Sequence, residues 1–303
     1  MITPCFNISA VERDTGLSKD VLRMWERRYG FPLPDRDSNG ERSYPAEQVE
    51  RLRLIKRLMD AGHRPGKLIA APAEELAAFI SRRPQASPGG ATGWSTELGE
   101  LLGLIKNHDS NGFLQALQQR LARQGLLNFV QDTIAPLTHQ IGQAWEDGSI
   151  EVFEEHLFTE LTKRLLRQAI AGLPGGQRRP RILLTSVPDE PHVLGLLMVE
   201  ALFTLEGAEC VPLGTQMPLL EIGRAATAHQ ADIVALSFSV AFPQRQIPGL
   251  LQQLRMVLPA ATGLWVGGGG AQRLAPIESV LLLTSFKHAI DALTDWRQAR
   301  VPA

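Results

Sequence analysis

The 303-residue sequence lacks the features that mark secreted, membrane-spanning or metal-clustered proteins. Its two cysteines, Cys5 and Cys210, lie in different predicted domains and form no metal-spaced cluster. We therefore expect a reduced, cytoplasmic location. No basic segment followed by an apolar core stands at the N-terminus, and no apolar run reaches about 18 residues, so neither secretion nor membrane spanning is predicted.

The sequence also lacks an excess of charge of one sign, since its formal net charge is −1. This excludes a protein that is basic overall and covers nucleic acid with a positive surface. Residues 1–70 differ from the remainder, because they contain 13 Lys and Arg against 10 Asp and Glu. The positions of these arginines matter more than their number. No nucleophile stands beside a base, so we do not expect an enzyme.

Four segments with different sequence patterns divide the chain. Residues 1–80 contain short helices and turns, and residues 81–94 are rich in Pro, Gly and Ser, which predicts a flexible linker. Residues 95–175 have apolar residues spaced three and four apart in four stretches, which predicts a four-helix bundle. Residues 178–303 alternate short apolar strands with helix-length segments, which predicts a parallel sheet covered by helices on both faces.

A helix-turn-helix is predicted in the first segment. Residues 15–18, Thr-Gly-Leu-Ser, form a tight turn after a short helix, and Ser18 is positioned to cap the next helix. This second helix and a hairpin-like wing carry arginine and aromatic side chains that suit phosphates and base edges. On charge alone, Arg27 and Arg28 also suit a solvated helix face without a ligand. The candidate DNA contacts are Arg23, Arg27, Arg28, Tyr29, Arg36, Arg42 and Tyr44.

The order of these residues resembles the winged helix-turn-helix of the MerR regulator family. Thr-Gly-Leu is followed by Leu22-Arg23-x-Trp25-Glu26-x-Arg28-Tyr29-Gly30 and then by Gly40-x-Arg42-x-Tyr44, and the match covers about residues 6–70. In that family the second helix enters the major groove, the wing tracks the phosphate backbone, and pairs of molecules bind two-fold symmetric sites. The resemblance implies operator DNA as a partner, with Trp25 packing in the small core.

A lone histidine, His192, follows the first predicted strand of the sheet. Glu190 can orient its imidazole by accepting the second ring N–H, and Gly195 allows the next helix to approach a bulky ligand. A bare tetrahedral metal ion needs more ligands than this motif offers. One histidine suffices for a cofactor that brings its other ligands, as a tetrapyrrole-like ring does. The alternative is a surface histidine that only bonds its neighbours.

The spacing Glu190-x-His192-x-x-Gly195 resembles the cobalamin-binding domain, and the likeness extends over residues 180–295. In that family the histidine is the lower axial ligand of cobalt, and the nucleotide tail of the cofactor enters a crevice along a flavodoxin-like (Rossmann-like) sheet. The resemblance implies a serine motif after the third strand and a diglycine turn after the fourth as further cofactor-binding positions. Those positions are Ser237, Ser239, Gly267, Gly268 and Gly269.

A tryptophan precedes two polar residues at the junction of the last two predicted bundle helices. Trp145 is followed ten residues later by Glu155 and His156, a spacing that also suits a core tryptophan beside exposed polar residues. A bundle with this motif, followed by a cobalamin domain, resembles the CarH-type light-responsive repressors, in which these residues accommodate the adenosyl group above cobalt. In the best-understood members a histidine directly follows the tryptophan, whereas here Glu146 occupies that position.

The combined resemblance implies a cobalamin-dependent repressor. It would bind operator DNA as an adenosylcobalamin-stabilised dimer or tetramer, and leave the DNA when light splits the cobalt–carbon bond. Glu146 keeps a light-independent sensor of cobalamin or another tetrapyrrole as an alternative. A corrinoid methyl carrier is a second alternative, although a carrier does not need a helix-turn-helix. The sequence leaves the operator, the regulated genes and the direction of control open.

Overall fold

The computed structural model describes residues 4–37, 40–60, 64–72, 75–76, 96–174 and 178–300. The chain divides into two compact units. The first contains the N-terminal module together with Gln143–Ser149, and the second contains the other helices and the large sheet. The predicted linker, residues 81–94, lies outside the described residues. Within the described residues, every helix is too short or too polar to cross a membrane.

The first unit begins with a helix-turn-helix and a three-stranded antiparallel sheet of strand order β1-β3-β2. Gly16 ends the first helix at φ +70°, and Ser18 caps the second by accepting a hydrogen bond from the N–H of Val21. The predicted turn and cap are therefore confirmed. The elements are β1 (Cys5–Asn7), α1 (Ile8–Thr15), α2 (Lys19–Tyr29), β2 (Asp35–Arg36), β3 (Arg42–Pro45), α3 (Ala46–Asp60) and α4 (Pro65–Ala70).

One apolar core holds this module together. Trp25 of α2 and Tyr44 of β3 are fully buried, and they pack with Leu22, Leu52 and Ile55. The predicted core position of Trp25 is thus confirmed. Because large aromatic side chains bury much apolar area, these two residues fix α2 and β3 to one another.

Helical segments at the positions predicted for the bundle follow. Helices α5, α6 and α8 pack against one another, and the rings of Phe113 and Phe158 meet edge to face with centroids 6.1 Å apart. Gly125 lies at φ +72° and ψ 162°, outside helical geometry, so α6 is kinked at this glycine. The elements are α5 (Thr96–Lys106), α6 (Ser110–Asn128), a π-helical turn (Phe129–Ile134), α7 (Ala135–Glu146) and α8 (Val152–Ala171).

The last part of the chain is a five-stranded, fully parallel sheet of order β5-β4-β6-β7-β8. The predicted parallel sheet is confirmed, and β8 is an added edge strand that the sequence pattern does not predict. The elements are β4 (Arg178–Thr185), α9 (Leu194–Leu205), β5 (Ala208–Gly214), α10 (Leu219–Ala228), β6 (Ile233–Ser237), α11 (Ile247–Val257), β7 (Gly263–Gly267), β8 (Val280–Leu282) and α12 (Phe286–Gln298).

Helices cover both faces of this sheet. Leu183 points to the layer of α10 and α11, whereas Ile182 and Leu184 point to the layer of α9 and α12, because side chains alternate along a strand. The chain moves from β4 outward to β5 and then returns to β6 on the other side of β4. The strand order therefore reverses at β4, and parallel sheets bind ligands at the carboxyl ends of the strands beside such a reversal.

Candidate functional site

The loop after β4 holds His192 through one buried carboxylate. Glu190 is 0% exposed, and its Oε1 lies 2.6 Å from Nδ1 of His192 and accepts from the His192 backbone N–H at 3.1 Å. The His192 side chain is 54% exposed, and among the described residues its Nε2 has no hydrogen-bond partner. A carboxylate on one ring nitrogen orients an imidazole whose other nitrogen binds a metal. The predicted Glu190–His192 contact is present.

The same glutamate joins the carboxyl ends of three strands. Its Oε2 accepts from the backbone N–H of Ser239, after β6, at 2.7 Å. Ser186, fully buried at the end of β4, donates from Oγ to the Glu190 carbonyl at 2.5 Å and accepts from the N–H of Gln216 at 2.9 Å. Ser186 is not among the site residues predicted from the sequence. A hydroxyl at the end of an otherwise apolar strand was the available signal.

Glu190 and His192 shift each other's pKa toward the charged forms. Burial pushes the pKa of Glu190 up, but the hydrogen bonds from His192 and Ser239 outweigh burial, and the pKa lies below its ordinary value. The hydrogen bond to Glu190 raises the pKa of His192 against the opposing effect of burial, and the charge of Glu155 adds to the rise. Glu155 of α8 thus lies within electrostatic reach of His192 in the second unit.

Gly195, in the first turn of α9, lies against the serine that ends β6. A Cβ placed on Gly195 would stand 2.5 Å from Oγ of Ser237, too close for any side chain. The motif glycine and the motif serine predicted from the sequence are therefore neighbours. Both lie at the sheet edge that also carries His192.

The glycine run after β7 lies against the loop after β6. Gly268 adopts φ +93°, and a Cβ on Gly268 or on Gly270 would strike a backbone carbonyl of residues 238–239. Gly267 has only ordinary van der Waals neighbours, and a Cβ on Gly269 would meet a side chain rather than backbone. The tightest backbone approach is therefore at Gly268 and Gly270, and Gly270 was not among the predicted positions.

These residues fit a corrinoid rather than a bare metal ion. In the described residues no three His, Cys, Asp or Glu side chains come together to hold a metal ion. A single imidazole is enough where the cofactor supplies the other ligands. Beside the glycine-lined edge, Oγ of Ser239 is buried without a hydrogen-bond partner among the described residues. A bound cofactor with polar side groups can satisfy such a hydroxyl.

The predicted upper-face residues belong to different compact units. Trp145, half-buried near the end of α7, lies in Gln143–Ser149 of the first unit, whereas Glu155 and His156 belong to the second. Glu155 places Oε2 2.9 Å from Nδ1 of His156 and accepts on Oε1 from the Thr159 hydroxyl at 2.8 Å. Thr159 is an orienting contact that sequence reasoning missed. The grouping of all three residues above a cofactor stays a prediction.

The start of α8, which carries Glu155 and His156, is fixed by a capping box. The carboxylate of Glu154 accepts from the backbone N–H of Glu151 at 2.7 Å, and Nε2 of His108 lies 3.2 Å from its other oxygen. A reciprocal cap of this kind satisfies the free N–H groups of the first turn. The position of Glu155 is therefore tied to a rigid helix end.

The surface of α2 presents the predicted arginines. Arg23, Arg27 and Arg28 are exposed, and the Arg28 guanidinium lies 5.3 Å from the centroid of the Tyr29 ring. The Tyr29 hydroxyl lies against Gly66 of α4, close enough that a Cβ there would be 3.2 Å away. Tyr29 thus packs against α4 through its hydroxyl end and contacts the Arg28 guanidinium through its ring.

The wing, residues 35–45, places its three predicted contacts in different surroundings. Arg36 is exposed and donates to the Gly40 carbonyl at 2.7 Å. Arg42 is paired with Glu26 of α2 at 2.8 Å, and this hydrogen bond raises the pKa of Arg42.

Tyr44, expected on the DNA-facing surface, is instead 0% exposed within the core. A side chain enclosed on all sides cannot reach a phosphate unless the core opens, so we remove Tyr44 from the contact set. Burial, followed by the charge of Glu26, raises the pKa of its hydroxyl against the opposing charge of Arg42. The sequence pattern places Tyr44 on the wing, but the alternation along β3 turns it inward.

Two family models match the chain. Residues 6–69 match the model of MerR HTH family regulatory proteins, and residues 98–170 match the B12 binding domain. The first match covers the helix-turn-helix and wing, and the second covers the helices α5 to α8. The first agrees with the MerR resemblance drawn from the sequence. The second matches the helices that precede the sheet, where the sequence resembles the bundle of the CarH-type repressors.

Two curated relatives match over nearly the whole chain. The HTH-type transcriptional repressor CarH of Myxococcus xanthus is 30% identical over 294 residues, which cover 96% of each chain. The HTH-type transcriptional repressor CarA of the same organism is 29% identical over 296 residues, 97% of this chain and 96% of the relative. Among solved structures, the monomethylamine corrinoid protein of Methanosarcina barkeri superposes with a TM-score of 0.52 at 16% identity, over 65% of this chain and 96% of that one. This last likeness shows a shared fold.

Proposed function

The chain belongs to the family of the CarH-type HTH transcriptional repressors, and from this membership we propose that it represses transcription under the control of adenosylcobalamin and light. At the coarser level it is a MerR-type, cobalamin-binding transcriptional regulator. The adenosyl form, the light response and the oligomer are the parts that we propose.

The Glu190–His192 pair carries this proposal. Nε2 of His192 would bind the cobalt of the cofactor, and Glu190 keeps the imidazole oriented for this by bonding Nδ1. Ser237 and Ser239, with the glycines Gly195 and Gly268, lie at the carboxyl-end edge of the sheet, and they would hold the nucleotide tail of the cofactor. We also assign Gly267 and Gly269 to this edge.

Trp145, Glu155 and His156 are the residues that would accommodate the adenosyl group. When bound, adenosylcobalamin supplies a weak cobalt–carbon bond that visible light splits. Trp145 would keep the bundle in one arrangement only while the adenosyl group is bound, and Thr159 holds the Glu155 carboxylate in place. A two-state equilibrium shifts almost completely from one state to the other only when the ligand binds one state about 10⁴-fold more tightly than the other, a difference of ~5.5 kcal/mol.

DNA binding follows from the number of helix-turn-helix modules held together. Arg23, Arg27 and Arg28 of α2 contact base edges and phosphates, and Arg36 of the wing contacts the phosphate backbone. A dimer or tetramer presents several such modules, so linking them multiplies affinity without new contacts. Loss of the oligomer in light therefore releases the operator.

A gel-shift experiment on the purified full chain tests the proposal. The chain is incubated with promoter DNA alone, with adenosylcobalamin in the dark, and with the same sample after illumination. Size-exclusion chromatography and absorption spectra are recorded in parallel. We expect tight DNA binding and a larger particle only in the dark adenosylcobalamin sample.

The other outcomes separate the alternatives. Equal DNA affinity and equal size in dark and light identify a light-independent sensor. Equal affinity with hydroxocobalamin, which has no adenosyl group, shows that the upper ligand has no role. Cobalamin binding without DNA binding in any state favours a corrinoid carrier instead.

A further inference from the structure

The recognition helix and the wing are joined by one ion pair. Nε of Arg42 lies 2.8 Å from Oε2 of Glu26, and its Nη2 lies 3.5 Å from Oε1. The two side chains are 27% and 24% exposed. Two-point contact between a guanidinium and a carboxylate fixes direction as well as distance. Glu26 thus holds β3 against α2 from the last turn of the helix.

Arg36 stands directly opposite Arg42 in the wing. The register of the β2–β3 pair matches Arg36 with Arg42, and residues directly opposite in an antiparallel pair share one face of the sheet. Two residues beyond Arg42 on that face, Tyr44 is anchored in the core. Arg42 therefore lies between a buried anchor and an exposed arginine, with Glu26 as its counter-ion.

We propose that Glu26 and Arg42 form a clamp that positions the wing, and that Arg42 acts on DNA through Arg36 rather than by touching a phosphate. This inference rests on the DNA binding proposed above. It reassigns Arg42 from a DNA contact to a positioning residue, and it gives a function to Glu26, an acidic side chain on a DNA-binding helix.

The clamp and simple electrostatics predict opposite effects of neutralising Glu26. A carboxylate near the phosphates repels them, so charge alone predicts that Glu26→Gln strengthens DNA binding. The clamp predicts that the same change weakens binding, since Arg42 is released and Arg36 loses its position. Glu41, the exposed neighbour of Arg42 in the wing, provides the matched control, because Glu41→Gln removes the same charge near Arg42 but breaks neither hydrogen bond of the clamp.

The experiment measures the DNA affinity of the full chain over a series of potassium chloride concentrations, with and without adenosylcobalamin in the dark. The probe is a duplex that the wild-type chain selects from a random library. We expect Glu26→Gln and Arg42→Gln each to weaken binding about tenfold, and Glu41→Gln to leave it equal or stronger. The swap Glu26→Arg with Arg42→Glu is expected to restore affinity, which a phosphate-contacting Arg42 does not allow.

The salt dependence separates positioning from contact. Each phosphate contact contributes about 0.9 to the slope of log affinity against log salt. In an Arg36→Gln background, Arg42→Gln is expected to leave this slope unchanged. If Arg42→Gln instead reduces the magnitude of the slope by about 0.9 in this background, Arg42 contacts a phosphate and the clamp is overturned. A Glu26→Gln variant that binds DNA as tightly as wild type also overturns the clamp.

Thermal unfolding of each variant checks that the module remains folded. The charge swap keeps the proposal testable if a single variant unfolds, because it retains both charges. A wild-type chain that binds no duplex in any cofactor state overturns the proposed function and, with it, the clamp. A wild-type chain that binds while Glu26→Gln binds equally overturns the clamp alone.

Discussion

Gly195 and Ser237 lie so close together that a Cβ on the glycine would stand 2.5 Å from the serine Oγ. The two residues come from the first turn of α9 and the end of β6, so their contact sets the distance between the loop of His192 and the next strand. The contact also explains the spacing of the motif. A glycine three residues after His192 falls where the helix crosses β6.

Gly195→Ala is expected to destabilise the chain and to weaken cobalamin binding. The new methyl group forces Oγ of Ser237 or the helix to move, which costs about 1–3 kcal/mol. In the double variant with Ser237→Ala the Oγ is absent, and the remaining Cβ–Cβ distance of 3.7 Å is an ordinary contact. Urea unfolding and a cobalamin titration measure both effects.

Gly103→Ala in α5 is the matched control, since nothing lies within 4 Å of its Cβ position. Because alanine is a better helix former than glycine, this control should gain up to about 1 kcal/mol. Equal losses in the single and double Gly195 variants would show that Ser237 is not the source of the strain.

Glu190→Gln is expected to lower cobalamin affinity by about 10- to 100-fold, as observed when groups that orient metal-bound histidines are changed. The amide keeps the size of the side chain but brings a donor toward groups that already donate, namely His192 and the N–H of Ser239. Titration followed by the visible spectrum measures the loss. Glu221→Gln, on the surface of α10, removes the same charge and should leave affinity unchanged.

Tyr44→Phe is expected to leave DNA affinity unchanged and to keep or raise stability. The Tyr44 hydroxyl is buried without a hydrogen-bond partner among the described residues, so its removal deletes an unsatisfied polar group, worth up to about 1 kcal/mol. Urea unfolding and gel shifts check the two outcomes. A marked loss of DNA affinity at unchanged stability would return Tyr44 to the contact set.

Arg167→Met is expected to make stability fall more steeply as pH rises. Burial raises the pKa of Glu200 and the charge of Arg167 opposes that rise, with Nη1 of Arg167 3.1 Å from the carboxylate. A carboxyl whose folded pKa lies above its unfolded value binds protons better when folded, so stability is lost as pH rises from the unfolded value through the folded one. Without Arg167 the folded pKa of Glu200 rises further, so the pH range over which stability is lost extends upward.

At neutral pH, Arg167→Met should lower the free energy of unfolding by about 1–2 kcal/mol. This is less than for a fully buried pair, because solvent screens the 43% exposed Arg167 side chain. Urea unfolding between acid and neutral pH measures it. Adding Glu200→Gln should remove the pH dependence. Arg164→Met, an exposed neighbour on α8, should have no effect, and an equal loss for Arg167→Met at every pH would contradict the assignment to Glu200.

Glu146→His is expected to change the absorption spectrum of the cobalamin-loaded chain only after illumination. The new imidazole stands directly after Trp145, one of the residues that would accommodate the adenosyl group under the proposed function. Dark spectra of wild type and variant should coincide. Glu146→Gln is the control for loss of charge, and identical spectra for all three illuminated samples would show that this position does not reach cobalt.

The predictions from sequence succeeded where a pattern is local. The cap at Ser18 and the core strand Ile182–Leu184 each follow from the order of neighbouring residues. They failed where an outcome depends on distant partners. Nothing near Arg42 in the sequence indicates that Glu26 pairs with it, and nothing near Ser186 indicates its bond to Gln216.

The order of the modules and the identity of the histidine follow from the sequence alone, because periodicity, turns and motif spacing are properties of short stretches of chain. Which polar groups meet depends instead on how distant segments fold together. Glu190 gathers His192 and Ser239 because the parallel neighbours β4 and β6 end at one edge. Tyr44 turns inward, and Arg42 turns toward Glu26, because packing against α2 selects the face of β3. Hydrogen bonds and burial depend on distance in space, which sequence spacing does not specify.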